Sequence, residues 1–360
     1  MQYNLYFCIS VFLKMRIDLT SSAALLGQMA TAARRVATIV HTHPDGDAIG
    51  CSIGMQCWLK SIGKEVKSVF PDAITSNLSF MLEGTQASDI LIFTDDAATK
   101  EWIDSCDLLL IMDMNSISRS AGLEKMLEAS VAKKVLIDHH LNPASEQFDL
   151  TISETEISSA SELVYWLLKE LSGKGLGSIS LPAATALMTG MTTDTNNFAN
   201  STFPSTLEMA SQLLTLGVNR DNIVENIIWR YNENRLRALG MLLDRRMVIT
   251  PEGVAYMVLY KSDLETFHLE EGDTEGFVNL PLAIGRVRMS IFIKEDIDHF
   301  RVSVRSKKGT SAAIYANRYC HGGGHENAAG GKIYFPEDIA VQTDAPAFLE
   351  RTVKDYFDEK

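Results

Sequence analysis

From residue 34 to about residue 195, short runs of β-branched and aliphatic residues alternate with longer segments of helical period. That alternation predicts βαβ units, an α/β domain with a mainly parallel sheet and helices on both faces. The expected strands are Val36–His41, Val66–Phe70, Ile90–Phe93, Leu108–Asp113 and Val135–Asp138, and three of them end in polar residues, His41, Asp113 and Asp138. Ligands of open α/β sheets bind outside the carboxyl ends of the strands, so those polar ends are the first candidates for a site. Helices are expected over Ser158–Leu171, over Pro182–Met191 and over Ser205–Leu216 with Ser205 as its cap. Asn219–Asp244 reads as one long amphipathic connector.

Beyond about Arg246 the pattern changes to alternating strands, Met247–Thr250, Val254–Leu259, Val287–Ile293 and Phe300–Val304, then a helix near Ala312–Tyr319 and a glycine-rich loop. This predicts a second, smaller α/β domain. The expected partition is an extension over residues 1–14, a first domain over 15–218, a helical connector over 219–245 and a second domain over 246–360. Residues 1–14 are apolar but lack the basic region and small-residue cleavage site of a secretory signal, and Met15 begins a more ordinary stretch.

Composition narrows the function. Apolar residues are 46% and charged residues 22% of the chain, ordinary globular usage, and no run is long enough to suggest a membrane span. The net charge of −13 argues against a duplex binder, which relies on a broad Lys/Arg surface. Any nucleic-acid substrate should be short or held locally. Such a local reversal exists: Arg301, Arg305, Lys307, Lys308, Arg318 and Lys332 lie within residues 301–332, where Glu326 is the one acid. The 5 cysteines are scattered without C-x-x-C spacing, which suggests neither a disulfide framework nor a thiolate zinc site and fits a reducing, cytoplasmic setting.

The strand ends carry the chemistry. His41-Thr42-His43-Pro44-Asp45-Gly46-Asp47 leads from the first strand into a helix near Ala48. Pro-Asp-Gly is itself a turn signal, but an imidazole and two carboxylates on one tight loop suit hard or borderline divalent cations. Asp113 tips an apolar strand, and a buried carboxylate there needs a cation or donors. Asp138-His139-His140 repeats that design with two imidazoles, and Asp194 follows the Pro182–Met191 helix, where alone it would be a cap. Converging on one sheet edge, these carboxylates would raise one another's pKa unless counter-charge met them. Two divalent metals would supply it, activating a water and stabilising phosphoryl oxygens, and phosphoester hydrolysis is the natural use.

The strings HTHPDGDAIG, IMDMN, IDHH and MTTDT, in that order, resemble the four motifs of the DHH phosphoesterase superfamily. RVSVRS and the later HGGGHENAAGG resemble the substrate-binding elements of its DHH-associated C-terminal domain, so the likeness covers nearly the whole chain. Its two-domain size is similar to the exopolyphosphatase-related NrnA type, oligoribonucleases for very short RNA that also dephosphorylate pAp. The resemblance implies that His41, Asp45 and Asp113 bind one metal, and Asp47, Asp113, His139 and Asp194 the other, with Asp113 bridging. Manganese is the first choice of ion, magnesium or cobalt the alternatives. It further implies that His140 faces the substrate phosphate and that Asp138 orients the histidines, the pair forming the catalytic set. Arg305 and Ser306, with Gly322, Gly323, Gly324 and His325, would grip the non-scissile phosphate or nucleotide. Asn196-Asn197 departs from relatives, which commonly carry a glycine-containing string there.

The expected partners are therefore short RNA oligonucleotides and nucleotide bisphosphates, with no membrane, no stable duplex nucleic acid, and room for a homodimer. Cyclic or linear dinucleotides and polyphosphate are alternatives of the same chemistry. A catalytically inactive nucleotide sensor is the alternative of another class, and the full complement of ligand residues speaks against it.

Overall fold

The computed structural model describes residues 18–94, 97–229, 232–270 and 272–358; residues 1–14 lie outside the described residues. The chain divides into two compact units, at Arg230 and Tyr231.

The first unit is built on six strands, β1 (Arg35–Ile39), β2 (Glu65–Phe70), β3 (Ile90–Ile92), β4 (Leu108–Met112), β5 (Lys133–Asp138) and β6 (Leu150–Ser153). All pair in parallel in the order β3-β2-β1-β4-β5-β6. Buried on both faces, the strands read as continuous apolar runs. Val36, Leu108, Leu110, Met112, Val135 and Ile137 face one core, and Ala37, Ile39, Leu109, Ile111 and Leu136 the other. The first core is closed by α1 (Thr20–Ala32), α2 (Gly46–Ser61), α5 (Ala160–Gly173), α6 (Leu181–Asp194) and α7 (Pro204–Thr215). The second is closed by α3 (Ala97–Asp104) and α4 (Glu124–Ala129). The strand order reverses between β1 and β4, and such a switch point leaves a crevice at the carboxyl ends of the strands.

Several local details depart from the sequence reading. β6 is a strand that the alternation did not reveal. Ser205 lies inside α7 and is not its cap: Pro204 takes the first helical position, where a missing N–H is harmless, and Thr206 Oγ1 accepts the Phe203 N–H at 3.0 Å. The Asn219–Asp244 stretch contains α8 (Arg220–Ile227) and α9 (Glu233–Met241), each opened by an asparagine cap, with Asn219 accepting from the Asn222 N–H and Asn232 from the Arg235 N–H.

The second unit carries β7 (Val248–Ile249), β8 (Val254–Leu259), β9 (Met289–Glu295), β10 (His299–Ser306), β11 (Gly323–His325) and β12 (Ala328–Tyr334) in a mixed sheet of order β11-β12-β10-β9-β8-β7. The β8–β9 pair is parallel and the rest are antiparallel. Met289, Ile291, Ile293, Val302 and Val304 bury one face against α10 (Ala312–Tyr319) and the carboxyl-terminal α11 (Ala345–Asp358). The glycine-rich segment is a β-hairpin and not a loop. A Cβ on Gly322 would stand 1.9 Å from the Gly330 carbonyl oxygen, so only glycine lets these two backbones meet. No helix among the described residues is long and apolar enough to cross a membrane.

Candidate metal centre

Each acidic motif is delivered by an element end. Asp45 caps α2, its Oδ1 accepting from the N–H groups of Asp47 and Ala48 at 3.0 and 3.1 Å. Asp47, on the first turn of α2, is buried, and both of its oxygens accept backbone N–H groups from the start of α5, Ala160 at 2.7 Å and Ser161 at 2.8 Å. Asp113 follows β4 at φ +56°, a left-handed conformation costly for a residue with a side chain, and it sits at the switch point between β4 and β1. Asp194 is the last residue of α6 rather than a residue beyond it. A carboxylate there opposes the helix dipole and calls for a nearby positive charge.

What brings Asp194 to the others is the close approach of α2 and α6. A Cβ on Gly46 would lie 2.4 Å from Thr193 Oγ1, and one on Gly50 2.6 Å from the Ala186 carbonyl oxygen. A Cβ on Gly190 would meet Ser161 Oγ at 2.1 Å. The glycines of HTHPDGDAIG are thus packing residues that let two helices carry their carboxylates into one site. After Asp194 the chain turns through Asn196, Asn197 and Phe198, all at positive φ. Asparagine tolerates that region, which explains how Asn196-Asn197 serves where a glycine string would be expected.

The side chains converge. His41 Nε2 is 3.4 Å from Asp113 Oδ2 and 3.9 Å from Asp45 Oδ1. His139 Nε2 is 3.4 Å from Asp113 Oδ1, 3.7 Å from Asp194 Oδ2 and 3.8 Å from Asp47 Oδ2. Three overlapping sets could each hold one ion, their ligand atoms within 4.8 Å of one another: His41, Asp45 and Asp113; Asp47, His139 and Asp194; and Asp113, His139 and His140. Asp113 belongs to two of them.

The electrostatics are those of a cation site. Burial, with the charges of Asp113 and Asp194 beside it, holds the Asp47 carboxyl well above its usual range. Burial, with the charges of Asp113 and Asp45, pushes Asp194 up to about 7. Burial works against protonation of the histidines, yet the Asp113 carboxylate and its acidic neighbours raise His41 to about 9 and His139 to about 10. Despite its own burial, Asp113 is held well below the usual carboxylate range by those two imidazoles. Oxygen and nitrogen donors without thiolates, crowded until carboxyls resist ionisation, match hard or borderline divalent ions.

Asp138 is fully buried, and its Oδ1 is 2.7 Å from His140 Nδ1. The opposite ring nitrogen, His140 Nε2, is 3.2 Å from an Nη1 of Arg119, a residue the motif reading missed. His43 lies outside the cluster, exposed beside Asp72.

In the second unit, Arg305 is half-buried with its Nη1 donating to the Val304 carbonyl, and burial lowers its pKa. The Ser306 hydroxyl is buried, donating to the Thr310 carbonyl and lying 3.0 Å from Asn327 Nδ2, so it secures the turn. The Gly322 N–H is engaged by the Ala316 carbonyl, while Gly323, Gly324 and His325 lie exposed on the edge strand β11. Of the basic residues nearby, Arg301 pairs with Asp296 and Lys307 donates to the Ile284 carbonyl.

Comparison with known proteins agrees with this geometry. A family model described as the DHH family, N-terminal domain, matches residues 35–191, and one described as the DHHA1 domain matches residues 253–354. The bifunctional oligoribonuclease and PAP phosphatase NrnA of Thermus thermophilus is 30% identical over 301 residues, which cover 81% of this chain and 82% of that protein. The cyclic-di-AMP phosphodiesterase GdpP of Geobacillus thermodenitrificans is 27% identical over 90% of this chain, which spans 48% of that longer protein. The crystal structure of an exopolyphosphatase-related protein from Bacteroides fragilis superposes with a TM-score of 0.86 at 32% identity, covering 93% of this chain and 96% of that one. The chain belongs to the DHH family and is a phosphoesterase whose second unit is a DHHA1 domain.

Proposed function

We propose that the chain hydrolyses short oligoribonucleotides and 3′,5′-bisphosphorylated nucleotides such as pAp. The observation that carries this reading is Asp113, strained at the switch point and standing 3.4 Å from both His41 and His139. One carboxylate between two ligand sets is the arrangement a pair of cations needs. His41, Asp45 and Asp113 would hold one ion, and Asp47, Asp113, His139 and Asp194 the other. Divalent cations bound there would neutralise the carboxylates, polarise phosphoryl oxygens and lower the pKa of a water.

The chain's own residues then have definite work. The N–H groups of Ala160 and Ser161 fix both oxygens of Asp47, so its direction is set before any ion arrives. Arg305, half-buried on β10, offers a fork of donors to a second, non-reacting phosphate, with β12 between it and the open edge of Gly323–His325. The name of the Thermus thermophilus relative supports RNA and pAp as substrates, and that of the Geobacillus relative makes cyclic dinucleotides the reading to test against.

Length selectivity follows from charge. A long strand would trail over a protein of net charge −13. Single-strand binders instead use a continuous basic groove with stacking aromatics. A panel of pAp, RNAs from dimers to long strands, cyclic dinucleotides and polyphosphate, each with Mn²⁺, tests the proposal. Rates should be highest for pAp and RNAs of about two to five nucleotides, short enough to be held without such a groove. Equal rates on long RNA, or turnover confined to cyclic dinucleotides or polyphosphate, would contradict it.

A further inference from the structure

Arg119 lies in the Ile117–Leu123 turn after β4. Its carbonyl accepts the Thr42 N–H at 3.0 Å, which ties this turn to the loop that carries His41 and Asp45. Its guanidinium Nη1 stands 3.2 Å from His140 Nε2. A guanidinium has donors and no acceptor, so Nε2 must accept. The ring proton then belongs on Nδ1, which faces Asp138 Oδ1 at 2.7 Å. The chain of bonds has one direction: Arg119 donates to His140, and His140 donates to the buried Asp138.

The acidic surroundings make this placement unusual. Asp45, Asp47, Asp113 and Asp194 gather nearby, yet among the described residues no carboxylate pairs with Arg119. A half-buried guanidinium that spends one Nη1 on an imidazole keeps the rest of its fork for an anion. The guanidinium is planar and matches two phosphoryl oxygens at once.

We propose that Arg119 is a catalytic residue that contacts the non-bridging oxygens of the scissile phosphate, with His140 and Asp138 as the positioning residues that aim it. This rests on the phosphoester reading of the site above. It also moves the phosphate contact expected of His140 onto the arginine, because both ring nitrogens of His140 already have partners, which equally leaves the set of Asp113, His139 and His140 without its third ligand. Negative charge redistributes over those oxygens as the phosphoester breaks, and a fixed donor acts most strongly there.

The test compares Arg119→Ala, Arg119→Lys, His140→Ala and the Arg119→Ala/His140→Ala double variant with the unaltered protein, each loaded with Mn²⁺. Arg119→Ala should lower kcat on the order of 10²–10³-fold, as removal of one preorganised donor does, with KM within about threefold. Arg119→Lys should recover little of the loss, since an ammonium lacks the fork. His140→Ala should also lower kcat, and adding Arg119→Ala to it should cost little more. Mn²⁺ affinity, read calorimetrically, should stay within about threefold in Arg119→Ala, because a guanidinium ligates no cation. Inorganic phosphate should bind the Mn²⁺-loaded Arg119→Ala protein at least about tenfold more weakly, in line with loss of a hydrogen bond to a charged group. Unchanged kcat in Arg119→Ala, or loss of its Mn²⁺ affinity, would overturn the proposal. If the unaltered protein hydrolyses no phosphoester, the proposed function fails and the phosphate titration still decides this inference: weakened binding supports it, equal binding overturns it.

Discussion

Gly46 lies so close to Thr193 that a methyl group on its Cα would stand 2.4 Å from the threonine Oγ1 and 2.5 Å from its Cγ2. Each of the two residues is next to a carboxylate of the site, Asp47 and Asp194. The distance between those carboxylates is therefore set by a glycine contact between α2 and α6.

Gly46→Ala should destabilise the protein by about 1–3 kcal/mol, the usual range for forcing a methyl into a packed contact. Thr193 cannot yield cheaply, because its hydroxyl donates to the Gly190 carbonyl at 2.8 Å, and turning the side chain away would break that bond. Mn²⁺ affinity should fall with the melting temperature, and Thr193→Gly on the Gly46→Ala background should recover part of the affinity. Calorimetric titration together with thermal unfolding checks this. Undiminished metal affinity in Gly46→Ala would mean the helix contact does not set the site.

Cation binding should release protons. In the metal-free protein His41, at about 9, and His139, at about 10, are protonated at pH 7, and Asp194, at about 7, is half so. Ligating groups must be deprotonated, so protons and cations compete. Both histidine values are raised, so apparent Mn²⁺ affinity should climb as pH rises from 6 to 8 and weaken as pH falls. Calorimetry in buffers of different ionisation enthalpy counts the protons directly. Binding without proton release would show that these imidazoles are not ligands.

Much of this site is legible in the sequence because it sits where sequence patterns are strongest. Asp113 and Asp138 stand at the carboxyl ends of apolar strands, and His41 and Asp45 lie on a turn whose polar content exceeds what a turn requires. Gly46, Gly50 and Gly54 stand four apart, the spacing of one helix face, but that pattern says nothing of which partner helix they meet. Arg119 was not legible. It is a lone basic residue in an irregular turn, and its link to His140 exists only once β4 and β5 lie side by side. β6 was missed because it is short, spanning Leu150–Ser153, and the glycines after His321 concealed a hairpin whose register is set by backbone contact rather than by side-chain alternation.

Arg305→Ala should raise KM for pAp more than it lowers kcat, since a contact to a non-reacting phosphate is uniform binding. The effect should be about 1.5–3 kcal/mol, the range for hydrogen bonds to charged groups. Steady-state kinetics on pAp measures it. An unchanged KM would remove Arg305 from the substrate contacts, as Ser306 is already bound up in its own turn.

Chelation should abolish hydrolysis, and Mn²⁺ added back should restore it. The corresponding assay is pAp turnover after EDTA treatment and desalting, with and without added Mn²⁺. Full activity in the chelated protein would mean that the cluster around Asp113 is not a cation site.

The most direct test is the rate at which Mn²⁺-loaded Asp113→Asn hydrolyses an RNA dinucleotide beside the unaltered protein, with folding of both verified. Asparagine keeps the size of Asp113 and tolerates its left-handed backbone, but it removes the charge that lies between His41 and His139. The unaltered protein should cleave the dinucleotide, and the variant should retain almost none of that activity and bind Mn²⁺ far more weakly. Equal rates from a well-folded variant would contradict this.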